Sequence, residues 1–261
     1  MEPADGARSF LTSGDAYDSF MGRYSRPLAH LVADAAGVTA GQRALDIGCG
    51  PGALTAVLVE RLGGDHVAAC DPSQPFVTDC AARHPGVDVR VGRAEQVPFA
   101  DHAYDRAIAQ LVLHFVSDVP AAMGEMQRVL APGGRAAACV WADGGQEMLT
   151  RFWDAARAID PDAATEVMRF GLAGELTELF ETAGFADVTE TTLEVRSTYD
   201  DFDELWAGYV QGVGPAGAFC RALPEAKQTA VRRELHERLG SPTGSFSLTG
   251  LARFVCGDTP G

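Results

Sequence analysis

The sequence predicts an α/β fold with a doubly wound sheet, and three observations carry the prediction. Arg43 to Ile47 is a short apolar run of the kind that forms a buried parallel strand, and Gly48, Gly50 and Gly52 follow it directly. Leu54, Val57, Leu58 and Leu62 then recur at helical spacing, so the glycine turn opens onto a helix N-terminus. A second apolar run, His66 to Cys70, ends in Asp71. Strand, glycine turn, helix and a second strand ending in an acid make a nucleotide site at the carboxyl edge of a parallel sheet.

Length and charge set the outer limits. At 261 residues the chain can hold one large α/β domain with a small cap. No run is long enough to span a membrane, and Met1 to Ser19 carries acids and glycines rather than a basic segment followed by an apolar one. A cytoplasmic protein without a membrane partner is therefore expected. Six cysteines, Cys49, Cys70, Cys80, Cys139, Cys220 and Cys256, are scattered without a C-x-x-C pair and read as reduced core thiols. The net charge of −15 argues against nucleic acid, whose phosphates need a basic face. Lys227 is the only lysine, which together with abundant alanine and glycine suggests a GC-rich bacterial genome.

The elements follow in order. Asp15 to Ala35 reads as a helix capped by Asp15, with Tyr17, Phe20, Met21 and Tyr24 clustered. After the glycine turn and the Asp71 strand, Pro75 to His84 is the next helix, and Phe76 either lines the ligand or fills the helix–sheet interface. Val87 to Gly92 is the third strand and Arg106 to Leu111 the fourth. Val119 to Leu130 is an amphipathic helix closed by Pro132, Gly133 and Gly134 before the strand Ala136 to Trp141. Gly145 to Asp160 and Gly174 to Ala183 read as helices, with Ala186 to Arg196 and Phe246 to Val255 as the last strands. Ser197 to Gly240, helical in pattern and carrying Trp206, Tyr209 and Phe219, is too long for a hairpin and is read as a cap.

Gly48-Cys49-Gly50-Pro51-Gly52-Ala53 fits the dinucleotide fingerprint, but Asp46 separates the candidates. A carboxylate at the mouth of the first strand repels a pyrophosphate and suits the α-ammonium of an amino acid. With Asp71, with Gly92-Arg93-Ala94-Glu95-Gln96-Val97-Pro98-Phe99 and with the Pro132-Gly133-Gly134 segment, the chain resembles the class I S-adenosylmethionine-dependent methyltransferases of small-molecule type. The resemblance covers about Tyr17 to Trp141 well and the remainder in outline. It implies a Rossmann-like doubly wound sheet of seven strands, mostly parallel, with an antiparallel last strand inserted between its two predecessors. The expected organisation is an N-terminal helical lid over 1–40, a core over 41–196, a helical cap over 197–243 and a final core strand over 244–261.

The resemblance implies S-adenosylmethionine as cofactor and assigns its contacts. Gly48 and Gly50 let it lie on the main chain, Asp46 faces its ammonium, and Asp71 with Pro72 holds the ribose. Ala94 and Glu95 hold the adenine, and Gln110 the amino-acid end. Tyr17 lies in a lid segment, and Arg23 would pair with the cofactor carboxylate or stay a solvated arginine. Tyr24, Trp141, Trp206 and Tyr209 are the aromatics expected to face a small-molecule substrate, the alternative being that they bind cap to core. His114, just past the fourth strand, is the candidate general base, with packing beneath the next helix as the competing role. The N/D-P-P-Y pattern of nucleic-acid amine methylation is missing after the fourth strand, and so is an acidic pair that would hold magnesium, so metal independence is expected. The activity expected is O- or N-methylation of a secondary metabolite by in-line displacement. A nicotinamide-dependent oxidoreductase and a protein that binds the cofactor without transferring methyl stay open as alternatives.

Overall fold

Apolar runs too short for helices become the strands of one sheet. A computed structural model describes residues 18–163, 169–212 and 214–260. Strands β1 (Ala44–Ile47) and β2 (Val67–Asp71) are buried at every residue, as strands covered on both faces must be. β3 (Asp88–Val91) is an edge strand and largely exposed. β4 (Tyr104–Gln110), β5 (Leu130–Gln146), β6 (Ala186–Tyr199) and β7 (Phe246–Asp258) complete a seven-stranded sheet in the order β3-β2-β1-β4-β5-β7-β6. The first five strands are parallel, and β7 runs antiparallel between β5 and β6. The strand order reverses at β1, between β2 and β4, which opens a crevice at the carboxyl ends of these strands.

Helices cover both faces. α1 (Arg23–Ala35), α2 (Ala53–Leu62), α3 (Gln74–Arg83), α4 (Val119–Val129), α5 (Glu147–Ile159) and α6 (Glu175–Thr182) connect or precede the strands. One core joins Leu28 and Val32 of α1, Leu54 and Leu58 of α2, and Phe152 of α5. The other joins Met123 and Met126 of α4 and Phe180 of α6 to Leu45 and Ile47 of β1. Among the described residues no helix is long and apolar enough to cross a membrane.

The N-terminal helix, expected within a lid over 1–40, packs on the core from Phe20 onward. A π-helical turn, Asp18–Gly22, leads into α1, whose Tyr24, Leu28, Ala29, Val32 and Ala33 are fully buried. Withdrawing this helix would expose the core beneath it, so from Phe20 onward it is a structural element. Tyr17 and Asp15 lie outside the described residues.

The insertion differs in its bounds. β6 extends to Tyr199 and β7 begins at Phe246, so the connection runs from 200 to 245. It carries α7 (Phe202–Val210), α8 (Gly214–Ala222) and α9 (Glu225–Arg238). Its aromatics face the core. Tyr209 is stacked on Phe152 at 4.4 Å and its hydroxyl donates to the Met148 carbonyl at 2.8 Å. Trp206 packs beside Tyr209, and Phe219 lies 5.2 Å from Trp153. The cause lies in the β6–β7 ladder, which overhangs the parallel sheet beyond Trp141 and leaves α5 an apolar face that the insertion covers. Fully burying such a side chain stabilises the fold by about 1.5–3 kcal/mol, which favours this docking over an open wall.

Candidate functional site

The crevice at the switch point is a cleft of about 1020 Å³, its open mouth included. It is lined by the glycine turn, the ends of β1, β2 and β4, and the start of α1. Gly48 has φ +74°, and its amide and that of Cys49 donate to the Cys70 carbonyl at 2.7 and 3.0 Å, folding the turn back on β2. A Cβ at Gly48 would sit 2.5 Å from Val112 Cγ2, so glycine is required there by both backbone and space. At Gly50 the backbone alone favours glycine: φ is +53°, but a Cβ would meet nothing within 4 Å.

Two carboxylates flank the turn. Asp46, at the end of the wholly buried β1, accepts from the Thr55 hydroxyl at 2.6 Å. Burial pushes its carboxyl up to about 7, offset in part by the Thr55 bond and reinforced by the neighbouring Asp71 charge. Asp71 accepts from the Gly50 amide at 2.9 Å and from the Ser73 amide at 2.8 Å. Burial raises it too, while these two amides pull it down. Pro72 follows it in the wall, and Phe76 lines the cleft at the start of α3.

The segment Gly92 to Phe99 is held from behind. Arg128 donates to the carbonyls of Val97 and Phe99, both at 2.9 Å, and pairs with Glu125 and Asp101. Glu125 in turn accepts from the Val97 amide at 2.6 Å. This network sets the loop that brings Ala94 and Glu95 to the cleft. Glu95 Oε1 accepts from the Ser117 amide at 3.1 Å and Oε2 lies 3.5 Å from Arg93. Its carboxylate therefore ties the loop to the start of α4 as well as lining the cleft.

At the inner end, Gln110 donates its Nε2 to the Ser25 carbonyl at 2.9 Å, which fixes the carboxamide and leaves Oε1 without a partner. Ser25 Oγ is likewise buried and unpartnered. Both residues line the cleft and are at least nine-tenths buried, with 9 % and 3 % exposure. Unpartnered buried polar atoms are costly, so two in one pocket mark a place for a polar ligand. Ser25 was not among the expected site residues, since nothing in an isolated helix tells which serine will abut a strand end 85 residues away. Leu111, Val112, Phe115 and Val116 form the apolar wall next to this polar end. Leu111 has φ +61°, a conformation costing about 1–2 kcal/mol for a residue with a Cβ, and its amide is held by the Cys139 carbonyl at 2.9 Å.

Several expected residues stand elsewhere. His114 is not in the cleft wall; its ring lies 3.9 Å from that of Phe115, with Nδ1 buried and unpartnered. Burial and the Arg169 guanidinium push it down to about 3, so it is a neutral imidazole and a weak base at pH 7. Arg23 pairs with Glu204 at 2.5 Å and stacks over the Tyr199 ring, away from the cleft. Tyr24 is fully buried, edge-on to Trp141 at 6.2 Å, with its hydroxyl 3.2 Å from that of Tyr199. Trp141 points into the α1–α5 core against Gly250. With Trp206 and Tyr209 docked on α5, none of the four expected substrate aromatics lines the cleft.

Residues 45–138 match a protein family described as the methyltransferase domain. A demethylmenaquinone methyltransferase of Beutenbergia cavernae is 34% identical over 131 residues, 50% of this chain and 52% of that protein. A malonyl-[acyl-carrier protein] O-methyltransferase of Erwinia billingiae is 32% identical over 129 residues, 49% of this chain and 50% of that protein. The chain spans about half the length of these curated relatives. Among solved structures, phosphoethanolamine N-methyltransferase 2 of Haemonchus contortus, in complex with S-adenosyl-L-methionine, superposes with a TM-score of 0.54 at 15% identity, covering 97% of this chain and 61% of that one. At that identity the likeness is one of fold.

Proposed function

We propose that this chain is a class I methyltransferase that binds S-adenosylmethionine in the cleft and transfers its methyl group to a small-molecule acceptor, a reading supported by the family match over residues 45–138 and by the sheet order. The observation that carries the reading is the acid and acceptor lining beside the glycine turn. An ammonium has three N–H donors, and three residues with acceptor oxygens line this cleft, Asp46, Gln110 with Oε1 unpartnered and Ser25 with Oγ unpartnered. The same lining disfavours the pyrophosphate of a nicotinamide cofactor, because two carboxylates line the cleft beside the turn and the Asp71 charge already raises Asp46. Asp71, fixed by the Gly50 and Ser73 amides, keeps lone pairs for the ribose hydroxyls.

Bound there, S-adenosylmethionine supplies an electrophilic sulfonium methyl whose transfer neutralises its positive charge. Leu111, Val112, Phe115 and Val116 exclude water from the acceptor's approach and keep the reaction dry. Alignment is the main contribution of such a wall. His114, outside the cleft wall and pushed down by burial, is given no proton-transfer role in this reading. O- or N-methylation of a secondary metabolite fits these walls.

Calorimetric titration with S-adenosylmethionine, S-adenosylhomocysteine and NADH tests the reading. Binding of both sulfur ligands and none of NADH is expected; the opposite pattern overturns it. Gln110→Leu and Ser25→Ala should each weaken S-adenosylmethionine binding by about 10- to 150-fold, one lost hydrogen bond to a charged group being worth about 1.5–3 kcal/mol.

Asp46 adds a pH dependence. Its folded value of about 7 lies above the roughly 3.9 of an unfolded chain, so its contribution to the stability of the free protein is present at low pH and lost as pH rises through 7. Binding a cation prefers the ionised form and has the opposite sign. Affinity for S-adenosylmethionine should weaken by up to about tenfold per unit as pH falls below 7, while the free protein's melting temperature rises. Asp46→Asn should flatten both profiles, measured by calorimetry and thermal melting from pH 5.5 to 8.

A further inference from the structure

Cys49 and Cys80 form a small buried cluster with Ala69, separate from the two main cores and set under the glycine turn. Both are free thiols. Cys49 lies within the turn, lines the cleft and is 6 % exposed, whereas Cys80, on α3, is fully buried. The Cys80 thiol sits 3.7 Å from the Thr55 hydroxyl, which in turn holds Asp46. A Cβ on Gly52 would lie 3.1 Å from Cys80 Sγ, so the turn and α3 touch at this point. From these contacts we infer that Cys49 and Cys80 are a disulfide-forming pair, oxidised by a peroxide that enters the cleft, and that the bond displaces the glycine turn from its ligand-binding position.

The chemistry balances with a hydroperoxide as oxidant. Cys49 Sγ attacks one peroxide oxygen, the O–O bond breaks, and water leaves with a sulfenic acid on Cys49. Cys80 Sγ then attacks Cys49 Sγ, the S–O bond breaks, and a second water carries away the remaining oxygen and the thiol protons. Two thiols are oxidised and one peroxide is reduced. Access sets the order, since Cys49 lines the cleft that admits the peroxide and Cys80 does not; Cys49 gives up its proton as it attacks, and the Cys80 thiolate is the nucleophile of the second step. Hydrogen bonds from Cys49 and Thr55 favour the Cys80 thiolate, while its sulfur neighbour and burial hold Cys49 as the thiol. The strand cysteines Cys70 and Cys139 are pushed up to about 12 by burial and lack such a partner.

A bonded pair of sulfurs stands about 2 Å apart, well inside nonbonded contact. Closing that gap draws Cys49 toward α3 and carries Gly48 and Gly50 with it. Gly50 is the residue whose amide holds Asp71, so the ribose acceptor loses its anchor. The effect on binding rests on the cofactor proposed above; formation of the bond does not.

Hydrogen peroxide treatment of the whole chain tests both parts. Intact mass should fall by two hydrogens, and peptide mapping should join Cys49 to Cys80. Affinity for S-adenosylmethionine should drop by at least about tenfold, or about 1.4 kcal/mol, and return with dithiothreitol. Cys80→Ser, in which Cys49 can reach only the sulfenic acid, should gain oxygen instead of losing two hydrogens and should keep more of the affinity through peroxide treatment than the wild type, and circular dichroism checks that it folds. Absence of the Cys49–Cys80 bond in folded wild-type protein overturns the pair, and a formed bond with unchanged affinity overturns the switch. Reduced wild-type protein that ignores S-adenosylmethionine would instead refute the cofactor, with the mapped disulfide still readable on its own.

Discussion

Asp71→Ala should abolish measurable S-adenosylmethionine binding, a loss of at least about 100-fold, while leaving a folded protein. Two effects add. The carboxylate is the ribose acceptor in the proposed site, and two hydrogen bonds to a charged group contribute about 3–6 kcal/mol. It is also the anchor of the turn, accepting from Gly50 at 2.9 Å and Ser73 at 2.8 Å, so its removal frees the amide next to the ligand. Against that, a buried carboxylate raised by desolvation carries a cost that alanine relieves, which is why the fold should survive. Asp71→Asn keeps one acceptor oxygen and should retain part of the affinity. Calorimetry with thermal melting on both variants separates the effects. Wild-type affinity in a folded Asp71→Ala protein would remove Asp71 from the site.

Gly48→Ala should be the most damaging single methyl in the cleft. The residue has φ +74°, where a Cβ costs about 1–2 kcal/mol, and the new methyl would stand 2.5 Å from Val112 Cγ2 and 2.9 Å from Cγ1. Overpacking of this kind adds about 1–3 kcal/mol. A destabilisation of about 2–5 kcal/mol is expected, read by urea denaturation. Val112→Ala in the same chain should recover the overpacking share and leave the backbone share, so the double variant falls between the Gly48→Ala and Val112→Ala proteins. Strict additivity of the two changes would show that the methyl and Val112 do not collide.

These two predictions rest on residues that were readable without coordinates, and the contrast with the failed assignments is physical. Asp46, Gly48, Gly50, Asp71, Pro72, Ala94, Glu95 and Gln110 all line the cleft, because each sits on a turn or strand end whose place in a parallel sheet follows from local pattern. The aromatics are different. Tyr24, Trp141, Trp206 and Tyr209 have the residue types of a substrate pocket, and the same types fill cores. Only the packing of α1, α5 and the insertion shows Tyr24, Trp141 and Tyr209 to be interior and Trp206 to lie half-buried against the same core. Arg23 illustrates the point with charge: Glu204, the partner that takes it from the cleft, lies 181 residues further along the chain.

The sequence by itself determined the sheet, its switch point and the acid and glycine half of the site, since these depend on short-range periodicity, backbone freedom and the fixed reach from a strand end. Tertiary structure alone decided how the cleft wall is completed. Ser25 joins Gln110 at the inner end of the cleft, His114 stays outside the wall beside Phe115, and aromatics of the insertion pack against the core. Those outcomes depend on contacts between segments far apart in the chain, where free energy is set by the area buried and the partners left unsatisfied, quantities that local pattern does not encode.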